Sequence, residues 1–147
     1  MAITRQARAI WNGDLLKGTG VVSASTSSAF SELPVTWGSR TESDDGRTSP
    51  EELLAAAHAS CFCMALSAGL GRAGTAPTKL EVTVTVKFDK LDSGWKVVSS
   101  NIDVRGKVSG IDADGFQQAA DAAKDGCPIS QALTGNVNLS AKATLDN

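Results

Sequence analysis

The chain has 147 residues and a mass of 15.1 kDa, which is the size of one ordinary domain. Hydrophobic residues make up 41% and charged residues 20%, a composition that excludes a disordered tail and a collagen-like chain. The formal charge of −2 comes without any run of basic residues, so we expect no binding to nucleic acid or to a membrane surface.

The N-terminal part, 1–48, is predicted to be mainly β-structure. Its apolar and polar residues alternate on either side of Asn12-Gly13-Asp14, a sequence typical of a hairpin turn. The predicted elements are strands at 4–11, at 15–24 and near 33–37, followed by a polar loop at 37–48.

A long helix is predicted to begin at Pro50 and to run to about Leu70. Ser49 can cap it, proline suits the first helical position, and Glu52 completes a capping box with Ser49. From Leu53 onwards the sequence is apolar on nearly every side, so we expect the helix to be buried all round.

The remainder of the chain is predicted to contain both strands and helices. The segments are a β hairpin at 79–108, a second helical region at 112–134 with a break at Cys127-Pro128, and a last strand at 136–145. Because the strands are joined in hairpins rather than through βαβ units, the sequence predicts an α+β fold. We expect a single domain over 1–147, without repeats or linkers.

The cysteines and the single histidine exclude further classes of protein. Cys61, Cys63 and Cys127 are an odd number at low density, which disfavours a secreted domain held by disulfides. No CxxC pair occurs and His58 is the only histidine, so the ligands of a structural zinc site are missing. The apolar stretch 53–70 contains His58 and two serines, and no signal peptide is recognisable. We therefore expect a cytoplasmic protein with no membrane span, no metal and no nucleotide cofactor.

Two thiols have surroundings that suggest chemistry. Cys127 is at the N-cap of a short helix that Pro128 begins, where unpaired N–H groups and the helix dipole favour a thiolate. His58 lies one turn before Cys61 and could serve as its base, as in a Cys–His hydrolase. Structural roles are the alternative for each of these residues. Cys61 and Cys63 point about 200° apart, so they do not bridge each other on an intact helix.

Two segments of the chain carry a resemblance to a known family. They are SPEELLAAAHASCFCMALS at 49–67 and KDGCPISQAL at 124–133, each of which contains a cysteine. These segments resemble the two cysteine motifs of the OsmC/Ohr family of thiol peroxidases. Trp11-Asn12-Gly13-Asp14, Gly110-Ile111-Asp112 and the overall length agree with the family, and the details are closer to its OsmC branch.

The resemblance implies an OsmC-like fold, in which antiparallel sheets wrap around long central helices in an intertwined cytoplasmic homodimer. It implies an antioxidant, stress-response enzyme that reduces organic hydroperoxides without a cofactor and is recycled by a dithiol reductant of lipoyl type. By the same resemblance, Cys61 is the peroxidatic thiol and Cys127 resolves its sulfenic acid as a disulfide. Glu51 is then the partner of an arginine that holds the thiolate. Arg40 matches that arginine best and Arg47 is the alternative, because the loop before the helix departs from the family's pattern.

Two other functions stay open on the sequence. One is a redox-sensing or small-molecule-binding protein of the same fold, whose cysteines are oxidised once without turnover. The other is the Cys–His hydrolase that uses Cys61 and His58. A hydrolase has no use for Cys127, and this favours the peroxidase.

Helix geometry adds a prediction about assembly. Glu51 and Cys61 are ten residues apart, which is about 15 Å along a straight helix and about 80° in direction. One arginine does not comfortably reach both. If two copies of the helix cross antiparallel near Ala56, Glu51 of one chain lies near Cys61 of the other. The sequence therefore predicts a homodimer with shared active sites.

Overall fold

The computed structural model describes residues 1–146, which form six strands and four helices. In chain order these are β1 (Ala7–Asn12), β2 (Thr19–Ala24), β3 (Leu33–Val35), α1 (Trp37–Thr41), α2 (Pro50–Arg72), β4 (Lys79–Leu91), β5 (Gly94–Lys107), α3 (Ala113–Gly126), α4 (Pro128–Leu133) and β6 (Asn138–Asp146). The chain divides into two compact units, Met1–Leu53 and the part from Leu54 onwards. The fold class is α+β, as predicted.

The first unit contains a three-stranded antiparallel sheet in the order β1-β2-β3. The turn between β1 and β2 uses the predicted sequence. Gly13 has a φ of +93°, a conformation that glycine adopts without a steric penalty. The Asp14 carboxylate accepts hydrogen bonds of 2.9 Å from the N–H groups of Leu16 and Lys17. Local turn chemistry therefore determines this hairpin.

The prediction of a polar loop over 37–48 is wrong in its first part, which forms the short helix α1. Its N-cap is Thr36, whose Oγ1 accepts a 3.0 Å hydrogen bond from the Ser39 N–H. The Ser39 hydroxyl in turn accepts a 3.0 Å bond from the Thr36 N–H. This reciprocal cap stabilises a single helical turn in spite of Gly38, and it positions Arg40 in that turn.

Helix α2 begins at Pro50, as predicted, and extends to Arg72. Ser49 Oγ accepts a 3.2 Å hydrogen bond from the Glu52 N–H, which is the predicted cap. The other half of the predicted capping box differs, because the Glu52 carboxylate accepts a 2.6 Å hydrogen bond from the Thr48 hydroxyl instead. The two acids of the first turn suit the positive end of the helix dipole.

The second unit contains a sheet in the order β4-β5-β6. β4 and β5 form the predicted antiparallel hairpin, with a register shift between Lys87 and Phe88. β6 pairs with β5 in parallel, for example Ile102 with Ala141, so the expectation of purely antiparallel, hairpin-joined strands is wrong here. The reason is the connection: α3 and α4 carry the chain back across the sheet, so that β6 runs in the same direction as β5.

The hydrophobic core of the second unit lies between this sheet and two helices. Helix α3 is capped by Asp112, whose Oδ1 accepts a 2.8 Å bond from the Gly115 N–H. Gln117 of α3 ties the helix to the edge strand β6 through bonds to the Ala141 carbonyl (3.1 Å) and the Ala143 N–H (2.8 Å). The buried members of the core are Phe62, Leu66, Leu70, Ile102, Val104, Val108, Phe116, Ala120 and Ala123.

Helix α2 is not buried all round in the single chain, which corrects the expectation from sequence. A stripe that includes Phe62, Leu66 and Leu70 is buried, whereas Met64 is 67% exposed and Ala56 is also exposed. By length and composition α2 is the one described helix that could cross a membrane, with a mean hydropathy of 1.7. Helix α2 has this apolar composition because it carries apolar residues on both faces, and the single chain buries only one of these faces.

The close approach of β5 to α3 provides a test of the packing. A Cβ atom added at Gly106 would overlap the ring of Phe116 and lie 3.1 Å from Leu80 Cδ2. We expect Gly106→Ala to lower the free energy of unfolding by about 1–3 kcal/mol, because this overlap forces the core apart. Urea unfolding measures the loss.

The matched control is Gly71→Ala on α2, where an added Cβ meets no atom within 4 Å. We expect this variant to be as stable as the original chain or slightly more stable, because alanine favours helix. Equal urea midpoints for the two variants would contradict the described packing of β5 against α3.

Candidate active site

The first unit contributes an ion pair between Arg40 and Glu51. Arg40 Nε–H donates to both carboxylate oxygens of Glu51, at 2.9 and 3.1 Å, and Nη2–H donates to Oε1 at 2.7 Å. Glu51 is 8% exposed and the Arg40 side chain 29%. The Arg40 guanidinium also lies 5.7 Å from the centre of the Trp37 ring. Several bonds of fixed geometry therefore orient the Arg40 guanidinium.

Arg47 has a different partner. Its Nη1 lies 2.9 Å from Asp45 Oδ2, and both side chains are well exposed. Such exposed pairs add little to stability and orient the arginine weakly. Of the two arginines that the sequence left open, Arg40 is the one that pairs with Glu51, and its role at a thiol stays a prediction.

The second unit brings together the two cysteines of the two sequence motifs. Cys61 lies on α2 and is half-buried, and Cys127 lies between α3 and α4 and is fully buried. The two thiols are close enough that each shifts the pKa of the other, so the two side chains are neighbours in the fold. All three cysteines are free, including the half-buried Cys63. Two neighbouring free thiols are the arrangement from which a disulfide can form.

The two neighbouring thiols have opposite pKa shifts. Burial raises the pKa of Cys61, and the nearby Cys127 side chain and the negative charge of its thiolate raise it further. Burial alone would raise the pKa of Cys127 too, but the nearby Cys61 thiol and the Ser130 and Ile129 N–H groups stabilise the thiolate, outweigh burial and lower this pKa. Cys127 is therefore the first of the pair to ionise.

The position of Cys127 explains its lowered pKa. It is the N-cap of α4, with Pro128 in the first turn, as the sequence predicted. The N–H groups of Ile129 and Ser130 face its sulfur without the geometry of a full capping bond. The positive end of the helix therefore stabilises the thiolate.

His58 does not pair with Cys61. It is fully buried, its Nδ1 lies 2.7 Å from Ser100 Oγ, and its Nε2 lies 2.7 Å from Ser130 Oγ. Burial lowers the pKa of His58, so the ring is neutral at pH 7. Because two serines occupy both ring nitrogens, neither nitrogen is available as a base for a thiol. This geometry does not support the Cys–His hydrolase.

Sequence reasoning missed the two serines that hold His58. Ser130 lies inside the Cys127 motif, so its nearness to Cys127 could have been inferred from the short helix. Ser100 is 42 residues from His58 in the chain and only the tertiary fold brings it there. Among residues 1–146, no three His, Cys, Asp or Glu side chains cluster as metal ligands would.

The coupling of the two thiols can be measured directly. Cys127→Ala removes the side chain and the charge that raise the pKa of Cys61, so we expect this pKa to fall towards its ordinary value. Conversely, Cys61→Ala removes a group that stabilises the Cys127 thiolate and should raise the pKa of Cys127. The ultraviolet absorbance of thiolates, followed against pH in a Cys63→Ser background, reports both changes.

Cys63→Ser alone is the control for this titration. Burial raises the pKa of Cys63, and no second thiol contributes to that shift. We therefore expect this variant to leave the titration midpoints of Cys61 and Cys127 unchanged. An unaltered Cys61 midpoint in Cys127→Ala would show that the two thiols are not neighbours in solution.

The sequence matches proteins of one family. Residues 43–142 match the family model described as OsmC-like protein. The chain is 41% identical to the peroxiredoxin OsmC of Escherichia coli strain K12 over 139 residues, which cover 95% of this chain and 96% of that protein. It is 35% identical to an organic hydroperoxide resistance protein-like protein of Staphylococcus aureus over 101 residues, covering 67% and 70% of the two chains.

Solved structures share the fold at low sequence identity. An organic hydroperoxide resistance protein from Elizabethkingia anophelis superimposes with a TM-score of 0.79 at 21% identity, covering 99% of this chain and 100% of that one. The organic hydroperoxide resistance protein OhrB of Bacillus subtilis gives 0.74 at 23% identity, covering 95% and 98%. The fold, the family model and the relatives agree with the resemblance of the two cysteine motifs, and the chain belongs to the family of OsmC-like proteins.

Proposed function

We propose that the protein is a thiol-dependent peroxidase that reduces organic hydroperoxides to alcohols. Cys61 is the attacking thiol and Cys127 the resolving thiol. The observation that carries the proposal is that these two free thiols come from separate elements and are close enough to shift each other's pKa. The names of the relatives, a peroxiredoxin and an organic hydroperoxide resistance protein-like protein, support a peroxidase-type role at the level of the family.

In the proposed reaction, the Cys61 thiolate attacks the terminal oxygen of the hydroperoxide. The S–O bond forms, the O–O bond breaks, and the alkoxide leaves as the alcohol after taking up a proton. The Cys127 thiolate then attacks the Cys61 sulfenic acid, so that an S–S bond forms and the oxygen leaves as water. A dithiol reduces the disulfide by two thiol–disulfide exchanges. Such chemistry fits the reducing cytoplasm, where cysteines are kept free.

The attacking thiol needs a positive neighbour, since burial raises the pKa of Cys61. Arg40 is suited to this role because its guanidinium stays charged at every working pH and Glu51 fixes its orientation. Glu51 also offsets part of the cost of partly burying that charge. We therefore propose Arg40 and Glu51 as the residues that activate Cys61.

A homodimer would bring these groups together. The exposed face of α2 includes Ala56, Ala57, Ser60 and Met64, and small residues there allow a second helix to approach closely. We propose that α2 packs antiparallel on its copy near Ala56. The Arg40–Glu51 pair of one chain then serves Cys61 of the other, and a two-fold axis creates two equivalent sites.

Single cysteine variants test the proposed reaction. With an alkyl hydroperoxide and dihydrolipoamide, we expect Cys61→Ser to consume no peroxide. Cys127→Ser should form one sulfenic acid per chain and then overoxidise, because nothing closes the disulfide. Cys63→Ser should turn over at close to the original rate.

Steady-state turnover separates the peroxidase from a redox sensor. A protein that is oxidised once per chain and then consumes no more peroxide, with dihydrolipoamide or with thioredoxin, would be a sensor. Activity lost in Cys63→Ser but kept in Cys61→Ser would exchange the roles of these two cysteines.

Subunit mixing tests the shared site. Glu51→Gln and Cys61→Ser chains should each be inactive as homodimers. After exchange, a mixed dimer should recover about one working site, because one of its two sites combines an intact Glu51 with an intact Cys61. Peroxide consumption by the isolated heterodimer measures the recovery. An inactive heterodimer would mean that Glu51 serves the cysteine of its own chain.

A further inference from the structure

The second unit contains a group of buried polar side chains that has no role in the proposed reaction. Ser100, His58 and Ser130 are each fully buried, and both serines lie 2.7 Å from a ring nitrogen of His58. Ser130 belongs to the first turn of α4, of which Cys127 is the N-cap, and its hydroxyl is near enough to the Cys127 sulfur to help lower the pKa of that thiol. Ser130 therefore lies between His58 and Cys127 and can connect them.

The position of one proton on His58 decides what Ser130 can do. A neutral imidazole has one N–H donor and one acceptor nitrogen. If Nε2 carries the proton, it donates to Ser130 Oγ and leaves the Ser130 hydroxyl proton for Cys127. If Nδ1 carries it, Nε2 takes the Ser130 proton and leaves only lone pairs towards Cys127. Ser100 is compatible with both arrangements, because its hydroxyl can donate to a bare Nδ1 or accept from Nδ1–H.

We propose that His58 is a positioning residue for the resolving thiol: its Nε2–H fixes Ser130 so that the serine hydroxyl donates to the Cys127 sulfur and speeds disulfide closure. The inference rests on the proposed function for the disulfide step, whereas the contacts of His58 with the two serines stand on the geometry alone. Burial keeps the ring neutral, which lets it act as an oriented donor without placing a charge in the core.

The closing step is balanced as follows. The Cys127 thiolate attacks the Cys61 sulfenic sulfur, the S–S bond forms, and the S–O bond breaks. The departing hydroxide takes up a proton and leaves as water. Cys61 on α2 and the Ile129 and Ser130 groups on α4 face the Cys127 sulfur directly, and His58 reaches it only through Ser130. Ser130 therefore stabilises the attacking thiolate.

Ser130→Ala removes the donor while keeping α4. We expect the titration midpoint of Cys127 to rise, because the thiolate loses a hydrogen bond. For a rise of one unit, the thiolate fraction at neutral pH falls about tenfold. The greater nucleophilicity of the more basic thiolate recovers part of this loss, so closure slows by about threefold. Above both midpoints the variant should close at least as fast as the original protein.

Two substitutions at His58 form a matched pair. In His58→Gln the amide reaches the place of Nε2 and can still donate to Ser130, so we expect the Cys127 midpoint to stay near its original value. In His58→Asn the amide reaches only the place of Nδ1 and Ser100, so we expect it to behave like Ser130→Ala. Ser100→Ala removes the bond on the other ring nitrogen and controls for lost stability alone.

Two measurements keep this inference separate from the proposed function. The first is the ultraviolet thiolate titration of Cys127 as the single thiol, in a Cys61→Ser, Cys63→Ser background. The second is the rate of disulfide closure against pH, after one equivalent of cumene hydroperoxide and rapid acid quenching. If Cys61 forms no sulfenic acid, the proposed function fails and the titration still tests His58.

The proposal for His58 is overturned if its variants lose stability while the Cys127 titration is unchanged. It is equally overturned if Gln and Asn at position 58 give the same Cys127 midpoint, or if Ser130→Ala slows closure by the same factor at every pH. If Ser130→Ala does not fold, the Gln and Asn pair decides the question by itself.

Discussion

The constraint on which the proposed chemistry depends is that the apolar helix α2, which carries two of the three cysteines, resists charge. Burial raises the pKa of both cysteines of α2 and lowers that of its histidine, so the helix resists charge of either sign. The third cysteine lies outside α2, at the end of another helix. The N-terminus of α4 faces Cys127 and lowers its pKa in spite of complete burial. Ionisation in this core therefore begins at the helix end and not on the central helix.

The protein contains two kinds of buried or partly buried polar groups, a charged pair and a neutral network. Each kind lies in a different one of the two compact units. In the first unit a charged pair, Arg40 with Glu51, is held by several hydrogen bonds and keeps part of the arginine exposed. In the second unit the polar groups around His58 are neutral and fully bonded. No buried side-chain nitrogen or oxygen in residues 1–146 lacks a hydrogen-bond partner. A satisfied neutral network orients hydroxyls at little electrostatic cost, whereas the ion pair keeps its arginine partly exposed to water.

Neighbouring residues predicted correctly those features that local hydrogen bonds and turn geometry determine. Ser49 and Pro50 predicted the start of α2, Gly13 the first turn, and Gly126 to Pro128 the break that makes Cys127 an N-cap. The parallel pairing of β6, the contact of His58 with Ser100 and the open face of α2 depend on the path of the whole chain, and short-range patterns do not encode that path. Helix α1 was missed because its cap uses Ser39 in place of the usual Glu or Gln.

The open face of α2 connects assembly with chemistry in the proposed dimer. Burial raises the pKa of Cys61 in the single chain, so little of this thiol is ionised at neutral pH, and the Arg40–Glu51 pair belongs to the first unit. In the proposed dimer, small residues on the open face would let two copies of α2 approach, and the same crossing would cover the apolar face and bring a guanidinium to each Cys61. We therefore propose that the Cys61 thiolate becomes reactive only in the assembled protein, because one contact would both cover the apolar surface and supply the activating charge. In this proposal, burial of apolar surface stabilises the contact between the two helices, and the Arg40 guanidinium stabilises the Cys61 thiolate.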